Sequence, residues 1–234
     1  MFTMQVIPGV YQITVRYSNF FLIVEESLTL IDTGFRGSVP GLFAFIRELG
    51  RSPEEIKLVV FSHNHIDHIG GFEQLKKLTG AQFASSEIDF ATINDILPYP
   101  SGNQLGKLLK VPILSPIRKR LILTGENIDI KLKGGEVFPV LGGLRVIPTP
   151  GHTAGSISLY APREKMLFVA DALNRRHNIL RLPLKTATTD LNQTVASIEA
   201  MAQLDVQILC FGHGKPIAEN VKKRLKSLLE KIKN

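Results

Sequence analysis

Four potential metal ligands fall within six consecutive residues, in the run His63-Asn64-His65-Ile66-Asp67-His68. The run follows the strand-type segment Lys57–Ser62 and precedes a helical pattern, so it lies where a strand gives way to a helix. Histidines two positions apart at the end of an extended segment point the same way, whereas Asp67 and His68 can turn toward a second point. The chain has only six histidines, so chance explains the cluster poorly and the run predicts a metal site.

Three further candidate ligands follow strand-type segments later in the sequence. His152 lies in a Pro-Gly turn, Asp171 follows an apolar run, and His213 stands between two glycines. Each alone has an ordinary interpretation, as a loop histidine or as a helix cap. Because each comes after a strand, as the first run does, one common edge of two sheets is expected to collect them. We therefore predict one site that contains all seven side chains.

The types of these residues indicate the chemistry. Imidazole and carboxylate donors without thiolate suit zinc, and they also accept iron or manganese. The single cysteine, Cys210, lies in an apolar run and is expected to be a small buried residue. Two divalent metals about 3.5–4 Å apart can share a bridging hydroxide as the nucleophile. Asp67 is predicted to be catalytic, since it could bind metal and also guide the proton. The residues thus predict a binuclear metal-dependent hydrolase.

The elements around these ligands form two blocks, each with strands followed by helices. Strands are predicted at Val10–Tyr17, Phe20–Glu25, Leu28–Asp32, Lys57–Ser62, Ala81–Ser85, Ile128–Leu132, Leu144–Pro148, Ser156–Tyr160, Met166–Ala170 and Val206–Phe211. Helices are predicted at Val39–Leu49, Asp67–Leu78, Glu87–Ile96 and Asp190–Gln203, and at the C-terminus. This order predicts two sheets with helices outside, and an irregular, proline-punctuated insertion near 97–125.

The composition is that of one large globular domain, 1–234. Of the 234 residues, 44% are apolar and 21% are charged, which is ordinary for a soluble protein. Residues 1–15 lack the charged and long apolar regions of a secretory signal, and the longest early apolar run is far too short to cross a bilayer. We therefore expect a cytoplasmic protein without a transmembrane segment.

The net charge of +7 is concentrated in two segments. Residues 221–234 hold six Lys or Arg against one Glu, and residues 105–133 hold seven against two acidic residues. Nucleic acid is one interpretation of such patches. At the C-terminus a solvated helix face explains the lysines better, because an apolar stripe lies opposite them. The stripe consists of Val221, Leu225, Leu228, Leu229 and Ile232.

Together these motifs resemble those of the metallo-β-lactamase-fold superfamily, from the N-terminal strands to the C-terminal helix. They are Leu30-Ile31-Asp32-Thr33-Gly34, the His-x-His-x-Asp-His run, Pro150-Gly151-His152, Asp171 and Gly212-His213-Gly214. The resemblance implies an α/β fold, a four-layer αβ/βα sandwich with metals at one edge of its two sheets. It also implies that the ligands divide into His63, His65 and His152 on one metal and Asp67, His68 and His213 on the other, with Asp171 bridging. Asp32 would orient the ligand loop by hydrogen bonds.

Differences between this sequence and the motifs of known families narrow the range of possible substrates. The chain resembles glyoxalase II in all seven ligands, but Ala172-Leu173-Asn174-Arg175 stands where that family carries Gly-Cys-Gly-Arg, and Ala170 replaces a glycine. The β-lactamases of this fold that use a cysteine at the Asp171 position are excluded as relatives in function. Flavo-diiron proteins carry a carboxylate at the His65 position, so a redox function of that kind is less well supported. The long exosite arm of the tRNA 3′-processing nucleases has no counterpart here. The predicted function is hydrolysis of an ester, thioester or lactone.

Two alternatives in the same fold stay open. A mononuclear iron persulfide dioxygenase would use His63, His152 and Asp171 alone. A phosphodiesterase or nuclease is favoured by the basic segments. The metal content separates the first alternative from the hydrolase, since two zinc ions per chain favour hydrolysis and one iron favours the dioxygenase.

The substrate, or its leaving portion, is predicted to be an anionic small molecule. The loops expected around the mouth of the site carry the candidate substrate-binding residues Arg175, Arg176, Arg118 and Lys119. Cations grouped at one mouth raise the local concentration of an anion, and arginine holds a carboxylate or phosphate in a bidentate fork. Alternatively, the basic insertion is a lid over an apolar acyl group or touches a membrane surface.

Overall fold

The computed structural model describes residues 1–91 and 128–233. The predicted insertion near 97–125, with Arg118 and Lys119, lies outside the described residues, as does the end of the helix that was expected to reach Ile96. Within the described ranges, none of the helices is long and apolar enough to cross a membrane.

In this part of the chain, the first sheet has seven strands that neighbour one another in chain order. They are β1 Phe2–Ile7, β2 Val10–Val15, β3 Ser18–Val24, β4 Leu28–Ile31, β5 Ile56–Phe61, β6 Gln82–Ser86 and β7 Ile130–Leu132. Strands β1 to β4 pair antiparallel, whereas β4 to β7 pair parallel. Parallel neighbours need crossover connections, and these contain helices α1 (Val39–Glu48), α2 (Ile66–Ile69), α3 (Phe72–Leu78) and α4 (Glu87–Ala91).

The second sheet is built from the later strands. They are β8 Val137–Phe138, β9 Leu144–Pro148, β10 Ile157–Ala161, β11 Met166–Ala170 and β14 Ile208–Phe211, in the order β14-β11-β10-β9-β8. Strands β12 (Asn174–Arg176) and β13 (Ile179–Arg181) form a separate hairpin. Helix α5 (Leu191–Met201) begins after Asp190, whose side chain caps it by accepting from Gln193 N, and α6 (Val221–Lys233) follows β14.

Apolar side chains cover both faces of each sheet, so the sheets pack against each other and against helices on their outer faces, in four layers. Phe20 and Leu22 of β3 pack in a core with α1, while Phe21 and Ile23 face the second sheet, where the Phe21 and Phe168 rings are 5.0 Å apart. A third core on the far side of the second sheet includes Leu167, Leu209, Ile198, Met201, Val221, Leu225 and Leu228. The order helix, sheet, sheet, helix confirms the predicted sandwich, because alternate residues of one strand are buried on opposite faces.

Some elements differ from the sequence prediction. Strands β1 and β8 and the β12–β13 hairpin were not predicted, because short strands at an edge, with partly exposed side chains, lack a clear apolar alternation. The helix expected over Asp67–Leu78 is two helices, since Gly70 and Gly71 separate α2 from α3. A Cβ at Gly70 would overlap the backbone of Phe35 and Arg36, so α2 packs directly under the loop that follows β4.

Candidate metal centre

The seven predicted ligands come together at one edge of the two sheets. His63 and His65 follow β5, Asp67 and His68 lie in α2, His152 follows β9, Asp171 follows β11 and His213 follows β14. Their donor atoms form two groups, and within each group they lie within 4.8 Å of one another. One group is His63, His65, His152 and Asp171, and the other is Asp67, His68 and His213.

Asp171 lies between the two groups. Its Oδ2 is 3.5 Å from His152 Nε2 and 3.1 Å from His213 Nε2, and its Oδ1 is 3.6 Å from His68 Nε2. The pairing of β11 with β14 has a bulge just before it, where Ala170 has a φ of 45°. This left-handed backbone conformation favours glycine. It therefore gives a physical reason for the glycine that glyoxalase II carries at the position of Ala170.

Three buried donor atoms of the cluster have no hydrogen-bond partner among the described residues. They are His63 Nε2, His68 Nε2 and Asp171 Oδ1. Because buried polar atoms are nearly always paired, these three fit ligands of a cation. Gly212 leaves room for them, since a Cβ there would overlap Asp171 Oδ1 and lie 2.8 Å from His68 Cε1. A donor set of imidazoles and carboxylates suits zinc, iron or manganese.

Hydrogen bonds assign the tautomers of three histidines. Ser62 Oγ donates to Asp32 Oδ2 at 2.7 Å, so its one proton is used and it accepts from His63 Nδ1 at 2.9 Å. His68 Nδ1 donates to the same Asp32 oxygen at 2.9 Å. His213 Nδ1 donates to a backbone carbonyl at 2.8 Å. In its neutral form each of these rings therefore has its unprotonated nitrogen, Nε2, toward the site, which is the form that binds a cation. Asp32 contacts the ligand loop in the way that the resemblance implies.

Burial and charge shift the pKa values of the cluster in opposite directions. Burial, with the neighbouring histidines, lowers the pKa of His65 to about 3 and that of His63 well below its ordinary value. Burial also opposes a charge on His68, but Asp171 and Asp32 outweigh it and raise the pKa of His68 to about 9. His63 and His65 are therefore neutral at pH 7, as metal ligands must be.

These shifts predict how the stability of the metal-free protein depends on pH. Between pH 6.5 and 3, the unfolded chain takes up a proton that the folded His65 does not, so the contribution of His65 to stability falls as the pH falls. Between pH 6.5 and 9, the folded protein keeps a proton on His68 that the unfolded chain has lost, so the contribution of His68 falls as the pH rises. The two histidines together favour the folded state most near pH 6.5.

Urea unfolding of chelator-treated protein at pH 6.5 and pH 5 tests the acid side, with His65→Asn as the matched variant. The free energy of unfolding should decrease between pH 6.5 and pH 5 in both proteins. We expect this decrease to be about 1–2 kcal/mol smaller in the variant than in the wild type. The same loss in both proteins would show that His65 takes up its proton at an ordinary pH.

Asp89 ties together the two loops that carry the first group of ligands. Its Oδ2 accepts from Asn64 N, between the first two histidine ligands, at 3.1 Å and from Thr153 Oγ1, next to His152, at 2.7 Å. Its Oδ1 accepts from Gly155 N at 2.6 Å, and the residue is only 1% exposed. The sequence does not point to Asp89, because acidic residues in the first turn of a helix, here Glu87 and Asp89, also suit the helix dipole.

Asp89→Asn is expected to weaken metal binding about 10- to 100-fold, as the loss of other groups that orient ligands does. The asparagine keeps the size of the side chain but places an NH₂ group against donors that now face a carboxylate oxygen. Competition with a chromophoric chelator measures the affinity. Asp205→Asn, in a side chain 69% exposed and paired with Lys165, is the control. Metal affinities that are the same in both variants would remove the positioning role of Asp89.

The donor atoms open onto a pocket of about 450 Å³. Apart from the ligands, its described walls are mostly apolar, formed by Tyr17, Phe35, Ile66, Leu173, Pro183 and Leu184. Among the described residues no Lys or Arg lines it. Arg175 and Arg176 lie outside this pocket, and Arg175 donates instead to two backbone carbonyls of the loop after His213. Arg118 and Lys119 fall in the part of the chain that is not described.

Comparisons with known proteins agree with this architecture. The sequence model of the metallo-beta-lactamase superfamily matches residues 13–213. The chain is 27% identical to the "Probable metallo-hydrolase YflN" of Bacillus subtilis, over 96% of this chain and 91% of that protein. It is 27% identical to a hydroxyacylglutathione hydrolase of Brucella ovis over 69% of its own length, but spans only 50% of that enzyme. The crystal structure of a metallo-beta-lactamase family protein from Thermus thermophilus matches with a TM-score of 0.72 and 25% identity, over 98% of this chain and 81% of that one.

The family match extends from the second strand to the last predicted ligand, His213. It therefore includes the motifs from the Asp-Thr-Gly turn to Asp171, together with Gly212 and His213 of the last loop. Two of these relatives are named as hydrolases, and the side chains gathered at the sheet edge suit a metal. The chain belongs to the metallo-beta-lactamase superfamily and is a metal-dependent hydrolase.

Proposed function

We propose that the protein holds two divalent metal ions, preferably Zn²⁺, and hydrolyses an ester, a thioester or a lactone. His63, His65 and His152 would hold one ion, Asp67, His68 and His213 would hold the other, and Asp171 would bridge them. The observation that carries this proposal is the carboxylate of Asp171, whose two oxygens face donor atoms of both groups. Bound there, the ions would supply Lewis acidity and lower the pKa of water.

The side chains of the pocket would position the substrate and handle the proton. Hydrolysis adds water across the acyl bond and releases a carboxylic acid and an alcohol or thiol. Asp67 lines the pocket, with its Oδ2 3.6 Å from His213 Nε2, and would take a proton from the attacking water. The apolar wall that includes Phe35 and Leu184 would pack against the acyl group and exclude bulk water.

The named activity of one relative supports an acyl substrate. Hydroxyacylglutathione hydrolase acts, by its name, on an acyl derivative of glutathione, and the ligand motifs of the present chain resemble those of that family. The residues after Asp171 differ from the Gly-Cys-Gly-Arg stretch, so a leaving group other than glutathione is proposed. Two ions are favoured over one because His68 Nε2, which a mononuclear dioxygenase site would leave unused, is also buried without a partner among the described residues.

An activity panel on metal-quantified protein tests the proposal. The panel contains thioesters, aryl esters, lactones, β-lactams, phosphodiesters and a persulfide. We expect hydrolysis of at least one ester, thioester or lactone, and its loss in a matched Asp171→Ala sample. Hydrolysis of phosphodiesters alone would identify a phosphodiesterase, and oxidation of the persulfide alone would identify a dioxygenase. Either result would overturn the proposed function.

A further inference from the structure

A second and larger cavity adjoins the active-site pocket. It is a groove of about 1080 Å³ between the β12–β13 hairpin and α6. Asn174, Pro183 and Leu184 line both the groove and the pocket. A molecule that is held at the metal centre can therefore extend into the groove.

The groove is strongly cationic. The hairpin contributes Arg175, Arg176 and Arg181 to its lining, and α6 contributes Lys223, Arg224 and Lys231. No Asp or Glu is among the described residues that line it. Within the described ranges none of these six cations takes part in an ion pair. The positive charge is therefore not neutralised by the described part of the protein.

Two of the arginines are fixed in place by the backbone. Arg175 Nη1 donates to the carbonyls of Lys215 and Pro216 at 2.6 and 2.9 Å, and Arg224 Nη1 donates to the carbonyl of Asn178 at 2.6 Å. Burial and the charge of Arg224 lower the pKa of Arg175, because two like charges are held near each other. An anion between them would relieve this repulsion.

We propose that this groove binds phosphate groups on the leaving portion of the substrate, an assignment that rests on the proposed hydrolase function for the position of the acyl bond. A phosphate offers more charge and more acceptor oxygens than one carboxylate, so it can engage cations from both walls. The length of the cationic part of the groove favours a small molecule over a polymer, because the segment of α6 from Lys223 to Lys231 is only about 12 Å long. Because the surface is concave, it does not match a flat bilayer.

Binding of ADP to the zinc-loaded enzyme, measured by calorimetry, tests the groove without using activity. Lys223→Glu and Lys231→Glu should each raise the Kd for ADP about tenfold, because each removes a charged contact. Lys222→Glu changes the charge by the same amount on the same helix but lies outside the groove lining, and should change the Kd less than about twofold. No binding of ADP, or equal effects of Lys222→Glu and Lys223→Glu, would overturn the proposal.

Two thioesters with the same acyl group, one with a phosphate on its leaving thiol and one without, test the link to catalysis. We expect kcat/KM to be about tenfold higher for the phosphorylated thioester, and we expect Lys223→Glu to remove that preference while Lys222→Glu keeps it. If both thioesters are hydrolysed equally well, the groove assignment fails and the hydrolase stands. If ADP binds but no ester is hydrolysed, the proposed function fails, and with it the leaving-group role. Single-stranded RNA or phosphatidylglycerol vesicles that bind more tightly than ADP, and whose binding depends on Lys223, would overturn the proposal of a small-molecule ligand.

Discussion

Asp171→Ala is expected to lose bound metal and to lower kcat/KM by about 10³-fold or more. The oxygens of Asp171 face His68, His152 and His213, so its removal takes a donor from both groups at once. It also removes one of the three carboxylates, Asp171, Asp32 and Asp67, whose negative charges raise the pKa of His68. A metal ion that polarises the substrate oxygen lowers the activation free energy of such reactions by several kcal/mol. Each 1.36 kcal/mol of activation free energy corresponds to about a factor of ten in rate.

Elemental analysis and kinetics of the same preparation measure both effects of Asp171→Ala. His177→Asn is the control, because His177 lies in the hairpin turn with a φ of 50°, a conformation that asparagine also adopts. The control should keep its full metal content and activity. Full metal occupancy in Asp171→Ala would remove the bridging assignment.

Removal of the metal ions is expected to abolish hydrolysis and to lower the Tm by about 10 °C. Ligand binding at a thousandfold excess over Kd stabilises a folded protein by about 4 kcal/mol, and 1 kcal/mol is worth about 2–4 °C for a domain of this size. The site also contains three buried atoms with no partner among the described residues. Without a cation, their desolvation would not be compensated.

Thermal unfolding before and after dialysis against a chelator measures the change in Tm. Adding Zn²⁺ back should restore both the Tm and the activity, which separates metal loss from irreversible damage. In Asp32→Asn, adding Zn²⁺ back should restore less of the lost Tm. Asp32 accepts hydrogen bonds from His68 Nδ1 and from Ser62, so its substitution disturbs the orientation of the ligand loop. A Tm and a rate that do not respond to the chelator would contradict a role for metal in this protein.

The sequence predicted two sheets with helices outside, and one sheet edge that collects the candidate ligands, because both depend on local patterns. Runs such as Met166–Ala170 are apolar enough to identify buried strands, and each candidate ligand lies within four residues of the end of a strand or in helix α2. The ends of strands in stacked sheets meet at shared edges, so residues far apart in the chain could be placed together. His152 and His213 are examples, and both lie in the cluster.

Features that depend on contacts between distant segments were not predictable in this way. The predicted role of Asp89 depends on contacts of helix α4 with the loops of Asn64 and Thr153, and nothing in its local sequence indicates those contacts. Arg175 was expected at the mouth of the site because it lies in the segment that follows Asp171, and the loops after the ligand strands form that mouth in the family it resembles. The β12–β13 hairpin directs it instead toward α6, where it lines the groove with Arg224.

The number of metal ions per chain tests the central claim most directly. Elemental analysis of the purified protein, normalised by amino-acid analysis, should give two divalent ions per chain, and one or fewer in Asp171→Ala. Two ions would be consistent with the seven donors and with Asp171 between the two groups. One ion per chain in the fully active wild-type protein, above all one iron, would contradict the binuclear hydrolase.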